Sequence, residues 1–109
     1  MKLRLFTLPS CPRCPEAKRI VEEVSRARQD ITVEILDMSS AENLTTALML
    51  QIASTPSILL DDEVVAVGDV PSVGELNILI EDHKGRLRAQ PQVLHVLRKA
   101  YNDRTTATH

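Results

Sequence analysis

Aromatic residues are almost missing from this chain of 109 residues. Phe6 and Tyr101 are the only two, and there is no Trp, so a core must be built from aliphatic side chains. Only two cysteines are present, Cys11 and Cys14, which excludes a small fold held together by several disulfides. The apolar share of 43% is nevertheless enough for one domain with its own core.

Strong charge of one sign and long apolar runs are absent as well. The formal net charge is −2, which gives no basic footprint for nucleic acid or an anionic membrane. No apolar run approaches the roughly 18 residues that cross a bilayer, and charges interrupt residues 1–6 too early for a signal peptide. We therefore expect a cytoplasmic monomer without nucleic-acid or membrane partners.

Apolar periodicity and turn residues predict the elements of the chain. The first strand is predicted at 2–7, and a helix follows it from Pro15 to about Arg28. The second strand is predicted at 31–36. The helix after it begins at a cap, Ser39 or Ser40, and ends at about Gln51. Two short strands, 57–60 and 63–67, flank Asp61-Asp62, and Ser72 with Glu75 predicts a capping box for a helix to about Asp82.

The remaining residues predict a separate C-terminal segment. Residues 83–90 are polar and contain Gly85, which is typical of a linker. Pro91 suits the first turn of a final helix, and 102–109 is expected to be a tail. The domain organisation expected from the sequence is therefore 1–82 followed by 83–109.

Three local features together resemble the thioredoxin/glutaredoxin superfamily. Cys11-Pro12-Arg13-Cys14 begins the first helix, Thr55-Pro56 precedes the third strand, and Gly68-Asp69 follows the fourth. The resemblance covers 2–82, and the short first strand and the Cys-Pro-x-Cys order are closest to a glutaredoxin-like form. It implies an α/β thioredoxin fold, β-α-β-α-β-β-α, with a mixed four-stranded sheet in the order 2-1-3-4, to which the sequence pattern after Pro91 adds an extra C-terminal helix.

The resemblance also implies a thiol–disulfide exchange site that reduces protein disulfides. Cys11 would attack as a thiolate favoured by the helix N-terminus, and the more buried Cys14 would resolve the mixed disulfide. A cis peptide bond between Thr55 and Pro56 would leave the Thr55 backbone free to pair with an extended substrate segment. Pro12 and Arg13, between the cysteines, are the other expected substrate contacts.

Charges and a proline beside the cysteines refine this expectation. Arg13, Lys18 and Arg19 add positive potential near Cys11, and Arg13 is the best placed by sequence to favour its thiolate. Pro15 cannot donate a backbone hydrogen bond. Either the regular helix begins near Pro15, or the first turn is loosened at the Cys11 carbonyl.

The chain lacks residues that glutaredoxins and thioredoxins use to bind glutathione or to adjust the reactivity of their cysteines. The lysine with which glutaredoxins read glutathione corresponds to Leu8, and their Gly-Gly pair to Gly68-Asp69. The Trp and the buried Asp of thioredoxins correspond to Ser10 and Leu5. A small glutaredoxin-like thioredoxin, reduced by a flavoprotein of the thioredoxin-reductase type, fits this pattern best, and glutathione is the alternative donor.

Two other functions stay open at this point. The chain could be a glutathione-dependent glutaredoxin, or could carry an iron–sulfur cluster bridged between two copies. It could also be a redox-sensing module whose last helix contacts a partner. Two cysteines supply half of a tetrahedral zinc site, and His83, His95 and His109 have no ligand spacing. We expect no bound cofactor or metal beyond a redox-active Cys11–Cys14 disulfide.

Overall fold

A computed structural model gives the fold of the chain and describes residues 1–86. The elements follow one another as β1 (Lys2–Thr7), α1 (Cys14–Ala27), β2 (Thr32–Asp37), α2 (Ala41–Met49), β3 (Ser57–Leu60) and β4 (Glu63–Val67). A third helix, α3, occupies 73–86. The final helix and tail predicted from Pro91 onward lie outside the described residues.

Most of the predicted elements are confirmed, and two of them have bounds that differ from the prediction. The second strand lies one residue further along than 31–36. The last described helix does not end near Asp82, and the predicted linker is helical from its first residue, His83, through 86. Lys84 and Glu81 form an i,i+3 ion pair at 3.9 Å there, and a single Gly85 costs only about 1 kcal/mol in a helix.

The residues at the N-terminal ends of α2 and α3 differ in their capping hydrogen bonds. Ser72 and Glu75 form the predicted capping box: the Glu75 N–H donates to Ser72 Oγ at 3.1 Å, and the Ser72 N–H donates to Glu75 Oε1 at 3.4 Å. Ser40 is the N-cap of α2 by position, but its side chain makes no cap hydrogen bond. The neighbouring Ser39 hydroxyl donates to Asp37 at 2.7 Å, so the predicted cap position is confirmed at Ser40, although neither serine side chain bonds the helix start.

The sheet has the predicted order β2-β1-β3-β4. β1 pairs with β2 in parallel and with β3 antiparallel, and β3 pairs with β4 antiparallel. The register places Phe6 opposite Ser57, and Ser57 opposite Val67. The end of β1, the start of β3 and the end of β4 therefore meet at one end of the sheet, which we call the motif end.

Alternation along the strands divides the apolar residues between two faces. On one face, Phe6 and Leu59 pack in a cluster with Ala47 of α2 and with Met38 and Ile52. On the other face, β1 and β3 place fully buried aliphatic side chains: Leu3, Leu5, Ile58 and Leu60. The aliphatic core expected from the lack of aromatics is thus present, with Phe6 as its one aromatic member among the described residues.

The described chain divides into two compact units. The first, Met1–Leu79, contains the sheet, α1, α2 and the start of α3. The second begins at Ile80, and its described residues, 80–86, are helical. None of the helices within residues 1–86 combines the length and the apolar content that crossing a membrane requires.

Candidate redox site

The two cysteines lie at the motif end, where β1 passes into α1. Cys11 and Cys14 are joined by a disulfide, and their Cα atoms are 5.4 Å apart. Cys14 is the first residue of α1 and only 5% exposed, whereas Cys11 precedes the helix and is partly exposed. The predicted difference in burial is confirmed, and it makes Cys11 the sulfur that an outside disulfide can reach.

The local chain path explains how Pro15 fits next to Cys14. Arg13 is the N-cap of α1, so Pro15 is the second helical residue. The first four N–H groups of a helix have no partner within it, so the missing N–H of Pro15 costs no helical hydrogen bond. The Ala17 N–H donates to the Arg13 carbonyl at 3.1 Å, as in a regular first turn. The helix therefore begins just before Pro15, without a loosened turn.

The loop before β3 lies beside this turn at the motif end. The Thr55-Pro56 peptide bond is cis, as the resemblance implied. The Pro56 carbonyl accepts a hydrogen bond from the Gly68 N–H at 2.7 Å, and the Ser57 hydroxyl donates to the Ser54 carbonyl at 2.6 Å. The loop before β3 is thus tied to the residue that follows β4.

Arg13 extends the same set of contacts to the dithiol turn. Its Nη1 donates to the Gly68 carbonyl at 3.4 Å, across 55 positions of sequence. Arg13 also lines a cavity of about 370 Å³ with Asp69 and Glu75 on the β4 side of the turn. Pro12 is exposed beside it. Three of the residues singled out by sequence, Arg13, Pro56 and Gly68, are therefore connected by hydrogen bonds.

A second cavity, of about 460 Å³, opens on the β2 side of the dithiol turn. Cys11 and Cys14 both line it, together with Lys18 of α1 and Asp37 at the end of β2. The Ser39 backbone N–H at 2.9 Å and then the Ser39 hydroxyl donate to Asp37 Oδ1, which lowers the pKa of this carboxyl. Asp37 is therefore a fixed anion at neutral pH.

Sequence reasoning missed Asp37, although a signal for it exists. An Asp followed two residues later by Ser at the end of a strand is typical of an Asx turn, in which the side chain accepts from the backbone. That pattern predicts an ordered carboxylate. Its position beside the cysteines follows only from the parallel pairing that sets Asp37 opposite Thr7.

Comparison with known proteins agrees with this geometry. Residues 1–81 match a family model described as a thioredoxin domain. A protein of Archaeoglobus fulgidus named "Probable Thioredoxin" is 35% identical over 83 residues, which cover 76% of this chain and 89% of that protein. The thioredoxin of Methanocaldococcus jannaschii is 40% identical over 68 residues, covering 62% of this chain and 79% of that one.

A solved structure supports the fold independently of sequence identity. Thioredoxin O2 from Arabidopsis thaliana, in its oxidised state, superposes with a TM-score of 0.60 at 20% identity, covering 74% of this chain and 72% of that chain. The sheet order, the disulfide at the start of α1 and the match over 1–81 lead to one assignment. The chain belongs to the thioredoxin family and has the thioredoxin fold of a thiol–disulfide oxidoreductase.

Proposed function

We propose that this protein reduces disulfide bonds in protein substrates through Cys11 and Cys14. The observation that carries the proposal is the unequal exposure of two disulfide-bonded cysteine residues at the start of α1, with Cys11 partly exposed and Cys14 5% exposed. Thiolate attack on a disulfide needs an accessible nucleophile. A second thiol held close to the first can then release the substrate faster than an outside thiol can.

The reaction has two exchange steps. The Cys11 thiolate attacks one substrate sulfur, forms a mixed disulfide and expels the other substrate sulfur as a thiolate. Cys14 loses its proton and attacks the Cys11 sulfur, which forms the Cys11–Cys14 disulfide and expels the second substrate sulfur. Two electrons pass to the substrate, and its two thiolates take up protons from water.

The loop before β3 gives the substrate a place to bind. Among residues 1–86, the Thr55 N–H and C=O take part in none of the hydrogen bonds that connect loops and turns. A free backbone donor and acceptor next to the start of a strand suit the addition of an extended peptide. We place the substrate segment there, with Pro12 and Arg13 on its other side.

Electrons return to the oxidised protein from a flavoprotein of the thioredoxin-reductase type in this proposal. The support is the family assignment together with Leu8, which stands where glutathione-dependent relatives carry a lysine. Glutathione is the competing donor. Assays of turnover with each donor system alone separate them, and turnover with glutathione and its reductase alone would contradict the proposed donor.

Insulin reduction tests the dithiol mechanism itself. Cys11→Ser should abolish turnover, because Cys14, the other thiol of the chain, is only 5% exposed and poorly placed to attack the substrate. Cys14→Ser should accumulate a mixed disulfide with the substrate, visible by mass spectrometry. Met49→Ser is a matched control that removes a sulfur from an 80% exposed position on α2, and it should retain full activity. Full activity in Cys11→Ser would sink the mechanism.

Peptide probes test the docking loop separately. A disulfide-bearing peptide should react with the Cys14→Ser variant more slowly when the backbone nitrogen that faces Thr55 is methylated. Methylation one residue along the peptide, where the N–H points away from the loop, should have little effect. Equal slowing by both methyl groups would mean that the peptide does not pair with Thr55.

A further inference from the structure

The cavity on the β2 side of the dithiol is lined by a cation, Lys18, that has no role in the exchange steps described above. Lys18 lies four positions after Cys14, so these two residues are neighbours on one side of α1, and Cys11 lies in the turn just before the helix. The structure places both sulfur residues and Lys18 along the wall of this one cavity of about 460 Å³. Lys18 is exposed, and among residues 1–86 it is the one cation that lines the cavity in which a thiolate must form.

The other cations near the start of α1 have different partners. Arg13 donates to the Gly68 carbonyl and lines the cavity on the opposite, β4 side. Arg19 pairs with Glu23 at 3.3 Å on the exposed side of the helix. Within residues 1–86, no carboxylate forms an ion pair with Lys18. The charge that faces the dithiol cavity is therefore that of Lys18.

The two charged residues that line this cavity, Asp37 and Lys18, differ in their hydrogen bonds. Asp37 faces it from the end of β2, but two hydrogen bonds from Ser39 hold its carboxylate. Thr7 of β1 is polar and uncharged, and the remaining lining is apolar. The negative charge of Asp37 disfavours a second negative charge in the same cavity, so a thiolate at Cys14 needs a cation nearby to compensate for it. Lys18 is the described residue that can supply it.

We propose that Lys18 stabilises the Cys14 thiolate in the step that resolves the mixed disulfide. The inference rests on the proposed dithiol function. In this step Cys14 gives its proton to water, and the resulting thiolate attacks the Cys11 sulfur and expels the substrate thiolate. Lys18 stays protonated throughout and acts through its charge. Cys14 should depend on Lys18 more than Cys11 does, because Lys18 lies one helical turn after Cys14, whereas Cys11 precedes the helix and is partly exposed to solvent, which screens the charge.

The test isolates Cys14 in the reduced Cys11→Ser variant of the full chain. Thiolate formation is followed by ultraviolet absorbance as a function of pH, with and without Lys18→Met. Removing the charge should shift the titration to higher pH and lower the thiolate fraction at neutral pH about threefold, the size typical of a solvent-exposed neighbouring charge. High salt should shrink the difference between the two proteins, since the interaction is screened.

Matched variants separate charge from packing. Lys18→Arg should restore the titration, because it keeps the charge and most of the length of the side chain. Arg26→Met removes the same charge from the exposed last turn of α1 and should leave the titration unchanged. In the Cys14→Ser variant, Lys18→Met should shift Cys11 less than it shifts Cys14 in the parallel experiment.

Kinetics give a second readout that does not depend on absorbance. In the protein with both cysteines, Lys18→Met should slow the release of substrate from a preformed mixed disulfide about threefold at neutral pH, with a smaller effect on the first attack. An unchanged titration in Lys18→Met, or a shift equal to that of Arg26→Met, overturns the inference. The proposed function fails by a different result, the absence of insulin turnover in the unmodified protein.

Discussion

Helices α1 and α2 differ greatly in how much of their surface the rest of the protein covers. α1 has 14 residues and buries side chains along its whole length: Cys14, Ala17, Ile20, Val21 and Val24. α2 has nine residues, and Ala47 is its one buried side chain. Its large apolar residues Leu44, Leu48 and Met49 are 42%, 64% and 80% exposed.

The difference shows two ways of holding a helix. α1 is held by apolar packing, so the turn that carries the disulfide projects from a fixed support. α2 depends more on polar contacts at the turn that leads into it, where Asn43 Nδ2 donates to the Asp37 carbonyl at 3.0 Å and Ser39 donates to the Asp37 side chain. A redox site with sub-ångström demands on its sulfurs belongs on the first kind of helix.

The largest expected effect comes from removing equal volumes from the two helices. Ile20→Ala on α1 should lower the free energy of unfolding by about 2–4 kcal/mol, because Ile20 is buried and a cavity remains. Leu48→Ala on α2 removes the same number of carbons from an exposed site and should change it by less than about 0.5 kcal/mol. Urea unfolding of the oxidised proteins measures both. Similar losses in the two variants would contradict the comparison.

A smaller effect is expected where the N-terminal end of α1 is tied to the loop after β4. Gly68 has φ +73°, a conformation that costs a residue with a Cβ about 1 kcal/mol, so Gly68→Ala should destabilise by that amount. Gly74→Ala is the matched control on α3, where an added Cβ meets nothing within 4 Å. In a helix this change should stabilise the fold by about 0.5–1 kcal/mol. Chemical unfolding should therefore give opposite signs, and the same sign in both would refute this account of Gly68.

The smallest effect should come from the turn that precedes α2. The fold lowers the pKa of Asp37 below its ordinary value of 3.8, so its ionised form contributes stability above that pH. This contribution disappears as the pH falls through the lowered value. Asp37→Asn should therefore be less stable than the unmodified protein at neutral pH, and the difference should vanish in acid. Thermal unfolding at several pH values measures it, and a difference that persists in acid would argue against an ionic origin.

Local patterns predicted the parts of this fold that depend on local physics. The apolar stripe of α1, the turn at Asp61-Asp62 and the capping box of Ser72 and Glu75 each need only neighbours in sequence, and the structure contains all of them. The α2 segment was different. Leu44 and Leu48 have helical spacing, but whether a stripe is covered depends on what packs against it, and the sequence of the helix does not contain that information.

The cysteines were found from their spacing and the cis proline loop from the family resemblance, but the residues that surround them were not predicted. Arg13 was expected to act on Cys11, whereas its hydrogen bond goes to Gly68, 55 positions away. Lys18 and Asp37 meet in one cavity only because β1 and β2 are parallel neighbours and α1 crosses between them. Such contacts follow from tertiary structure. The sequence could therefore show that charged residues are present, but not which of them lie beside the cysteines.

Both backbone groups of Gly68 make hydrogen bonds: its N–H donates to the Pro56 carbonyl, and its carbonyl accepts from Arg13. In engineering terms, the segments around Cys11, Pro56 and Gly68 form one transferable module even though they are far apart in the chain. A chimera that imports the Cys-x-x-Cys turn of another protein, but keeps its own residues at the other two positions, would lose the Arg13 connection. Grafting all three segments together is the design that conserves the geometry of the site.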